Sequence, residues 1–197
     1  MFVSILHLIA YSLMSLFLVI VILRFLLQLV RADFYNPVSQ AIVKITMPLL
    51  KPLRKVIPSV GGIDTASVVL IILVQLVASA ILALIMGAGG IILNPLPLIL
   101  WGIVGTLTIV SSIFFWSMII SIVGSFIAPF SHHPLLLLAN QIINPLAAPV
   151  RKLLPPLGGV LDLSPIIILL GLQVVDILIE RLAFMVGVDP RLVLGYW

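Results

Sequence analysis

Four polar side chains in the first and last apolar runs of the chain have types and spacings that suit proton chemistry. Asp176 and Glu180 are four residues apart, so a helix would place both carboxylates on one face. His7 and Tyr11 have the same spacing in the first run. Because a bare carboxylate is costly in lipid, we predict that His7 meets Glu180 and that Tyr11 meets Asp176. Two roles are open for such a cluster: helix packing and, with access to water, a proton relay.

Three further polar side chains lie deep within apolar runs. Gln75 and Gln173 are expected at equivalent depths, ~15 Å past the starts of their helices. Their amides need partners in hydrocarbon, so we predict a hydrogen bond between them that holds two halves of the chain together. A polar site for a permeant would use the same atoms. We expect Arg24 either to hydrogen-bond the serine-rich face of the third apolar run or to snorkel toward the headgroups.

Two pairs of adjacent basic residues interrupt the apolar sequence, Arg54 with Lys55 and Arg151 with Lys152. They suit the binding of anionic lipid headgroups or of a cytoplasmic partner, at about 1 kcal/mol per basic residue near the surface. A simpler role is to set the membrane topology, with the side chains snorkelling to the headgroups. The two roles are compatible, although the duplication of the surrounding residues exceeds what topology requires.

The basic pairs belong to a segment that the chain contains twice. Residues 48–64 read P-L-L-K-P-L-R-K-V-I-P-S-V-G-G-I-D, and residues 145–162 read P-L-A-A-P-V-R-K-L-L-P-P-L-G-G-V-L-D. Matching positions keep an offset of 97 through Gly62 and Gly159, and one inserted residue, Leu161, shifts the offset to 98 at the aspartates. A register held this long indicates an internal duplication. The residues that we assign to turns and helix caps are Gly61, Gly62, Asp64, Gly158, Gly159, Asp162 and Ser164. We predict that the aspartates cap the following helices, the alternative being a pair across the pseudo-twofold axis with the Arg-Lys of either repeat.

The pattern P-x-R-K-x-x-P-x-x-G-G-x-D, present twice between long apolar runs, resembles the YggT (YlmG-like) family of small bacterial membrane proteins. The resemblance covers nearly the whole chain as two family repeats. One departure is that Ser164 precedes Pro165 in the second copy, whereas the first copy lacks this proline. The resemblance implies roles in tolerance of osmotic or envelope stress and in organising or assembling membrane complexes. It implies no established catalytic activity.

The composition favours a membrane protein. The chain is 63% hydrophobic and 8% charged, with a mean hydropathy of +1.41, so one soluble core of this size could not bury its apolar surface. A net charge of +4 is better explained by juxtamembrane loops that face anionic lipid than by nucleic acid. The absence of cysteine excludes disulfides and thiolate sites. We expect no cofactor, no metal and no nucleic-acid partner.

The apolar runs predict an all-α membrane fold of four transmembrane helices in two parallel tandem repeats. The predicted spans are residues 2–30, 65–86, 98–128 and 165–188. Each repeat also has an amphipathic segment, residues 36–58 or 134–155, which we expect its prolines to break and the membrane interface to hold. The repeats are assigned to residues 1–96 and 97–197. Ser164 is the expected N-cap of the last span, with Pro165 at its first position.

The distribution of basic residues predicts the orientation. Both motif segments carry Lys and Arg, while the connector over residues 87–97 carries neither. The positive-inside rule therefore places the motif segments in the cytoplasm and both termini in the periplasm of a bacterial inner membrane. We expect the tail over residues 190–197, with Tyr196 and Trp197, to anchor the chain in the interface.

Together with the roles that the resemblance implies, these observations favour a non-enzymatic protein; the resemblance implies that its role is structural or organising, in envelope or osmotic stress tolerance or in membrane-complex assembly. The expected partners are anionic lipids of the cytoplasmic leaflet and either further copies of the chain or another membrane protein. The alternative is an oligomeric channel or transporter for an ion or osmolyte, because polar residues lie within the spans. Four short spans leave little room for a pore inside one protomer, so conduction would require an oligomer.

Overall fold

A computed structural model describes residues 1–127, 131–154 and 162–196 of the chain. The helices of this part are α1 (Phe2–Leu29), α2 (Pro37–Val56), α3 (Thr65–Ile85), a 3₁₀ helix (Gly89–Leu93), α4 (Pro95–Ile127), α5 (Pro134–Leu153) and α6 (Ser164–Met185). Over the same residues there is no strand, apart from an isolated bridge between Val60 and Ile63. The fold is therefore all-α, as the apolar runs predicted.

Three helices, α1, α3 and α4, are long and apolar enough to cross a membrane. Helix α6 has 22 residues and is also largely apolar, but its second half carries Asp176, Glu180 and Arg181. These charged residues make α6 more polar than the other three helices. The chain therefore has the helices of a membrane protein, and three of the four predicted spans meet the requirements of length and apolarity.

The packing follows the duplication. Helix α1 packs against α3, and α2 contacts both of them; α4 packs against α6 in the same way, and α5 contacts both. The two helical triplets meet mainly through α3 and α4. Each repeat is thus a pair of long helices with a third helix laid against them.

Equivalent caps begin α2 and α5. The Asn36 side chain accepts a hydrogen bond from the backbone N–H of Val38 at 2.9 Å, and His133 Nδ1 accepts one from the N–H of Leu135 at 3.3 Å. A proline at the first helical position follows each cap. Asn36 Nδ2 also donates to the carbonyl oxygen of Pro134 at 2.8 Å. This bond joins the two repeats and places the starts of α2 and α5 at the same end of the bundle.

The expected proline breaks in α2 and α5 are wrong. Helix α2 runs through Pro48 and Pro52, and α5 runs through Pro145 and Pro149. Each proline removes one backbone hydrogen bond. The two prolines of each helix are four residues apart, so the two missing backbone hydrogen bonds lie on the same side of the helix. In α2 that side is at the surface, because Pro48 and Pro52 are exposed. The unpaired carbonyls can then bind water or headgroups, so the helix continues.

Helix α2 buries a face that is half polar and leaves part of its apolar surface exposed. Ser39, Ile42, Thr46 and Leu50 are buried. By contrast, Ile45 is about half exposed, at 49%. Thr46 is accommodated because its hydroxyl donates to the carbonyl oxygen of Ile42 at 2.8 Å. An apolar stripe of α2 therefore remains uncovered by the chain itself.

The C-terminal tail enters the bundle instead of lying in the interface. After α6, Gly187 adopts a left-handed backbone, with φ of 63°, and the chain turns back. Leu192, Val193 and Leu194 are 3%, 0% and 0% exposed. The predicted interfacial anchor is therefore wrong for these residues, because their apolar side chains complete the core. Trp197 lies outside the described residues.

Candidate functional site

An ion pair closes the first copy of the duplicated motif. A terminal nitrogen of Arg54 donates to Asp64 Oδ2, and Ser67 Oγ donates to the same oxygen at 2.7 Å. Asp64 also caps α3, because its other oxygen accepts from the N–H of Ser67. Burial alone would raise the pKa of the Asp64 carboxyl, but the hydrogen bonds from Arg54 and Ser67 and the charge of Arg54 hold that pKa below its ordinary value.

The second copy repeats the pair in a more open setting. Arg151 Nε donates to Asp162 Oδ2 at 2.9 Å, and the N–H of Ser164 donates to Asp162 Oδ1 at 2.9 Å. The Asp162 side chain is 30% exposed, compared with 4% for Asp64. Hydrogen bonding from Ser164, followed by that from Arg151, lowers the pKa of Asp162. We call these two Arg–Asp segments the first elbow (residues 54–64) and the second elbow (residues 151–162).

The elbows decide between the roles proposed for the aspartates. Each aspartate pairs with the arginine of its own repeat, so a pair across the pseudo-twofold axis is wrong. Asp64 caps α3 as predicted. In the second repeat Leu163 stands at the N-cap of α6 and Ser164 is its first residue, so the caps expected at Asp162 and at Ser164 are both wrong. The N–H of Ser164 is instead satisfied by Asp162. Gly61 and Gly62 turn the first elbow with φ of 60° and 82°.

Two parts of the motif remain apart from these ion pairs. The glycines Gly158 and Gly159 lie outside the described residues. Lys55 and Lys152 lie in the last turns of α2 and α5 as exposed side chains. Since the arginines are engaged by aspartates, the lysines are the cations of each basic pair that have no carboxylate partner among the described residues.

A cavity of about 710 Å³ lies beside the first elbow, between the end of α1, α2 and the start of α3. We call it the arginine cavity, because Arg24, Arg31 and Arg54 line it together with Asp64. Arg54 also donates weakly to Gln28 Oε1, at 3.4 Å. Arg24 Nε is buried without a hydrogen-bond partner among the described residues. Three cations and one anion therefore share one polar cleft.

Arg24 does not bind the serine-rich face of α4. Ser121 Oγ donates to Asn140 Oδ1 at 2.6 Å, and Ser125 Oγ donates to the carbonyl oxygen of Ile122 at 2.7 Å. The Arg24 side chain lines the arginine cavity at the elbow end of α1. Of the two expectations for Arg24, its position agrees with a side chain that extends toward the end of the helix.

The predicted bond between Gln75 and Gln173 is wrong. Gln75 is buried, and its Nε2 donates to the carbonyl oxygen of Leu194 at 3.1 Å. Gln173 is exposed on α6. Equivalent positions in the two repeats therefore have different surroundings, because the tail occupies the space beside α3 and breaks the symmetry of the core.

The predicted pairs between the first and last long helices are also wrong. Within the described residues α1 and α6 do not contact each other. His7 Nε2 lies 2.7 Å from the carbonyl oxygen of Arg191. The Tyr11 hydroxyl donates to the carbonyl oxygen of Tyr196 at 3.0 Å and accepts from the N–H of Gly195 at 3.1 Å. The polar groups of α1 thus satisfy the backbone of the tail.

The carboxylates of α6 face α4. Ser111 Oγ donates to Asp176 Oδ1 at 2.5 Å. Asp176 and Glu180 line a cavity of about 220 Å³ together with Thr108, Ser112 and Tyr196. Helical spacing thus brought both acids to one place, as predicted, but Asp176 is bonded by a hydroxyl group of α4 and not by Tyr11.

Two features of the structure were missed at the level of sequence. The His133 cap could have been inferred, because His133 occupies the position of Asn36 in the repeat and precedes a proline in the same way. The insertion of the tail had a weaker signal, the apolar run Leu192-Val193-Leu194 after the turn residue Gly187. Nothing in that run indicates which helices it joins.

Comparison with known proteins gives the same twofold division. The model of the CCB3/YggT family matches residues 3–85 and, a second time, residues 100–183. An uncharacterized protein of Pseudomonas aeruginosa is 51% identical over 181 residues, which is 90% of each chain. An uncharacterized protein of Vibrio alginolyticus is 37% identical over 85% of this chain and 89% of its own. The uncharacterized protein YggT of Escherichia coli strain K12 is 35% identical over 84% of each chain. No solved structure matches.

Proposed function

Because this chain belongs to the CCB3/YggT family, we propose that it is a non-enzymatic protein of the bacterial inner membrane that organises or supports a membrane complex, in the context of osmotic or envelope stress. The observation that carries this proposal is the direct joining of the two repeats. The bond from Asn36 to Pro134 brings the starts of α2 and α5 together. Each of the two joined helices carries an exposed lysine in its last turn, Lys55 in α2 and Lys152 in α5.

The proposed topology has four crossings, with α6 as the fourth. Helix α6 packs against α4 as α3 packs against α1, so equivalent helices would cross together. Its Asp176 is bonded by Ser111, which reduces the cost of a carboxylate at depth. The elbows would face the cytoplasm, where their lysines meet anionic headgroups, and both termini would face the periplasm.

A structural role is supported by what the polar groups of the bundle bind. Gln75 and Tyr11 bind the backbone of the tail inside the bundle, and His7 binds it at an exposed position. Side chains that satisfy buried backbone atoms hold one conformation in place. A proton relay would instead need a chain of titratable groups with access to water.

The alternative is an oligomeric channel or transporter. It is favoured by the cleft in which Asp176 and Glu180 face the hydroxyl groups of Thr108 and Ser112. Carboxylate and hydroxyl oxygens are ligands for hard cations. Against conduction through one protomer, the buried tail fills the space between α1, α3 and α4, so a path would have to run between protomers.

The two functions separate in one set of variants. Affinity purification of tagged protein from crosslinked native membranes should recover a partner with the wild type and lose it with the double variant Lys55→Gln, Lys152→Gln. These lysines are exposed and take no part in the ion pairs of the elbows, so those pairs stay intact. The matched control is Arg181→Gln, which removes a basic residue from the other end of α6 and should leave the recovery unchanged.

Purified protein in liposomes provides the opposing measurement. An organising protein should carry no flux of K⁺ or of a small osmolyte. Flux that Asp176→Asn alters without lowering expression would contradict the organising role and favour the transporter.

A further inference from the structure

The arginine cavity has more positive charge than the chain itself neutralises. Arg24, Arg31 and Arg54 line it, but Asp64 is the one carboxylate among its lining residues. Asp64 is already bonded to Arg54. Two guanidinium groups, those of Arg24 and Arg31, are therefore left in the cleft without a carboxylate at hydrogen-bond distance among the described residues. Like charges that share a partly buried site need an anion nearby.

Two buried donors in the same cavity have no partner. Arg24 Nε and Ser39 Oγ are both buried and make no hydrogen bond within the described part of the chain, and both residues line the cavity. Ser39 is only 4% exposed. Buried donors in folded proteins are nearly always bonded. Two orphan donors in one cationic cleft indicate a missing acceptor.

The backbone of Arg31 supports the same conclusion. Arg31 has a φ of 53° and is the one non-glycine residue with a left-handed backbone in the described part of the chain. It stands just after α1, where glycine is usual. The dipole at the end of α1 favours a cation there, but it does not require a strained position. The strained backbone keeps an arginine at the mouth of the cavity, where a glycine could offer no charge.

The second repeat lacks these residues. In the register that aligns Arg54 with Arg151, the positions of Arg24, Arg31 and Ser39 are taken by residues with no positive charge. These residues are Ser121, Ala128 and Leu136. The Arg–Asp ion pair, by contrast, recurs in both repeats. The ion pair therefore belongs to the common fold, whereas the additional cations and the orphan donors belong to the first repeat alone.

We propose that the arginine cavity binds the phosphate group of one anionic membrane phospholipid per protomer, between Arg24 and Arg31, with Ser39 as a further donor. Guanidinium groups bind phosphate oxygens in a forked geometry. The cavity lies at the end where the first elbow presents basic residues, and apolar side chains of Leu27, Phe34 and Val43 border it. A phosphate next to an apolar rim matches a lipid with its headgroup inward and its acyl chains along the helices.

A free phosphate ion has the same chemistry for Arg24, Arg31 and Ser39, so the test must separate the two sources. The full-length protein is purified in an uncharged detergent and examined by native mass spectrometry. Phosphatidylglycerol, the zwitterionic phosphatidylcholine and inorganic phosphate are each added as probes. We expect one retained phosphatidylglycerol, little retained phosphatidylcholine and no displacement of the lipid by excess inorganic phosphate. Equal retention of both lipids, or displacement by inorganic phosphate, would overturn the proposal.

Variants locate the bound lipid. The double variant Arg24→Gln, Arg31→Gln should weaken phosphatidylglycerol retention by roughly tenfold or more, as expected for losing charge-assisted hydrogen bonds. Ser39→Ala removes a hydroxyl that no described residue binds, so it should leave folding intact and weaken retention several-fold. Arg181→Gln, at the other end of the bundle, is the control and should retain lipid as the wild type does.

The orientation of this lipid site in the membrane rests on the topology of the proposed function. The outcomes below separate a failure of the lipid site from a failure of that function. Unchanged lipid retention in the double variant and in Ser39→Ala would exclude the site, even if the lysine variants still lost a partner protein. Retention that depends on Arg24 and Arg31 would support the site, even if no partner protein were recovered. If the double variant does not fold, Ser39→Ala decides alone, because no bond of the folded chain depends on its hydroxyl.

Discussion

The amide nitrogen of Gln75 lies 3.1 Å from the carbonyl oxygen of Leu194, although 119 residues separate them. This bond ties α3 to a segment without regular secondary structure. Buried carbonyl groups of such a segment have no helical partner, so a side chain of the bundle must supply one. The bond therefore explains how a non-helical tail can lie inside a bundle of apolar helices.

Gln75→Leu should destabilise the protein by about 1–2 kcal/mol, because it leaves the carbonyl oxygen of Leu194 buried without this donor. The measurement is thermal unfolding in detergent, in which the variant should unfold at a lower temperature than the wild type. Gln173→Leu is the matched control, since the equivalent Gln173 is exposed and its replacement should change little. Equal effects at the two positions would show that the bond from Gln75 to the tail does not contribute to the stability of the protein.

Gly105→Ala tests the close approach of the tail to α4. An added Cβ would collide with the carbonyl oxygen of Leu194 and lie 2.6 Å from Cγ1 of Val193. We expect a loss of about 1–3 kcal/mol from overpacking, seen as a lower unfolding temperature. Gly171→Ala in α6 meets no atom within 4 Å and should be neutral or slightly stabilising, because alanine is the better helix former. A stable Gly105→Ala protein would contradict the placement of the tail.

Acidification should act through Asp64 more than through Asp162. The pKa of Asp64 is lowered in the folded protein, so folding favours its ionised form. This contribution is complete above the ordinary pKa of 3.8 and is lost as the pH falls through the lower value of the folded state.

The check is unfolding temperature as a function of pH. Asp64→Asn should lower stability at neutral pH by about 1–3 kcal/mol, because Arg54 and Ser67 lose a charged partner, and it should reduce the loss below pH 3.8. Asp162→Asn should have a smaller effect, since its ion pair is more exposed and better screened by solvent. A larger effect at Asp162 would contradict this ranking.

Asn36→Ala should lower the free energy of unfolding more than His133→Ala does, although both residues cap equivalent helices. Asn36 binds Val38 at its own helix and also Pro134 of the other repeat, whereas His133 caps its helix through one longer bond to Leu135. We expect about 1–2 kcal/mol for Asn36→Ala and less for His133→Ala. Thermal unfolding of the two variants measures the difference, and equal losses would mean that the bond between the repeats adds no stability.

The positions of the long helices could be predicted because each lies in a continuous apolar run with a recognisable start. The run before residue 30 gives α1 almost to the residue, and Asp64 marks the start of α3 through its cap. The two elbows were visible because Arg54 and Arg151 occur in the same duplicated pattern. Each of these features depends on residues that are close together in the chain, so it can be recognised from a single sequence.

The pairing of polar residues could not be predicted in the same way. The depth expected for each residue in the membrane suggested partners for His7, Tyr11 and Gln75. The actual partner of all three is the backbone of the tail. A backbone carbonyl has no signature in the sequence, and the apolar run over residues 192–194 fits a core and a membrane interface equally well.

The connector between α3 and α4 has a consequence for how the two repeats depend on each other. Its 3₁₀ helix, Gly89–Leu93, contains no fully buried residue, and within it Ile91 alone packs against the core, so the connector acts mainly as a tether. Contacts across the α3–α4 surface and the cap bond at Asn36 would still exist if the tether were cut. Two separately expressed polypeptides, divided there, should therefore assemble as a pair of complementary subunits.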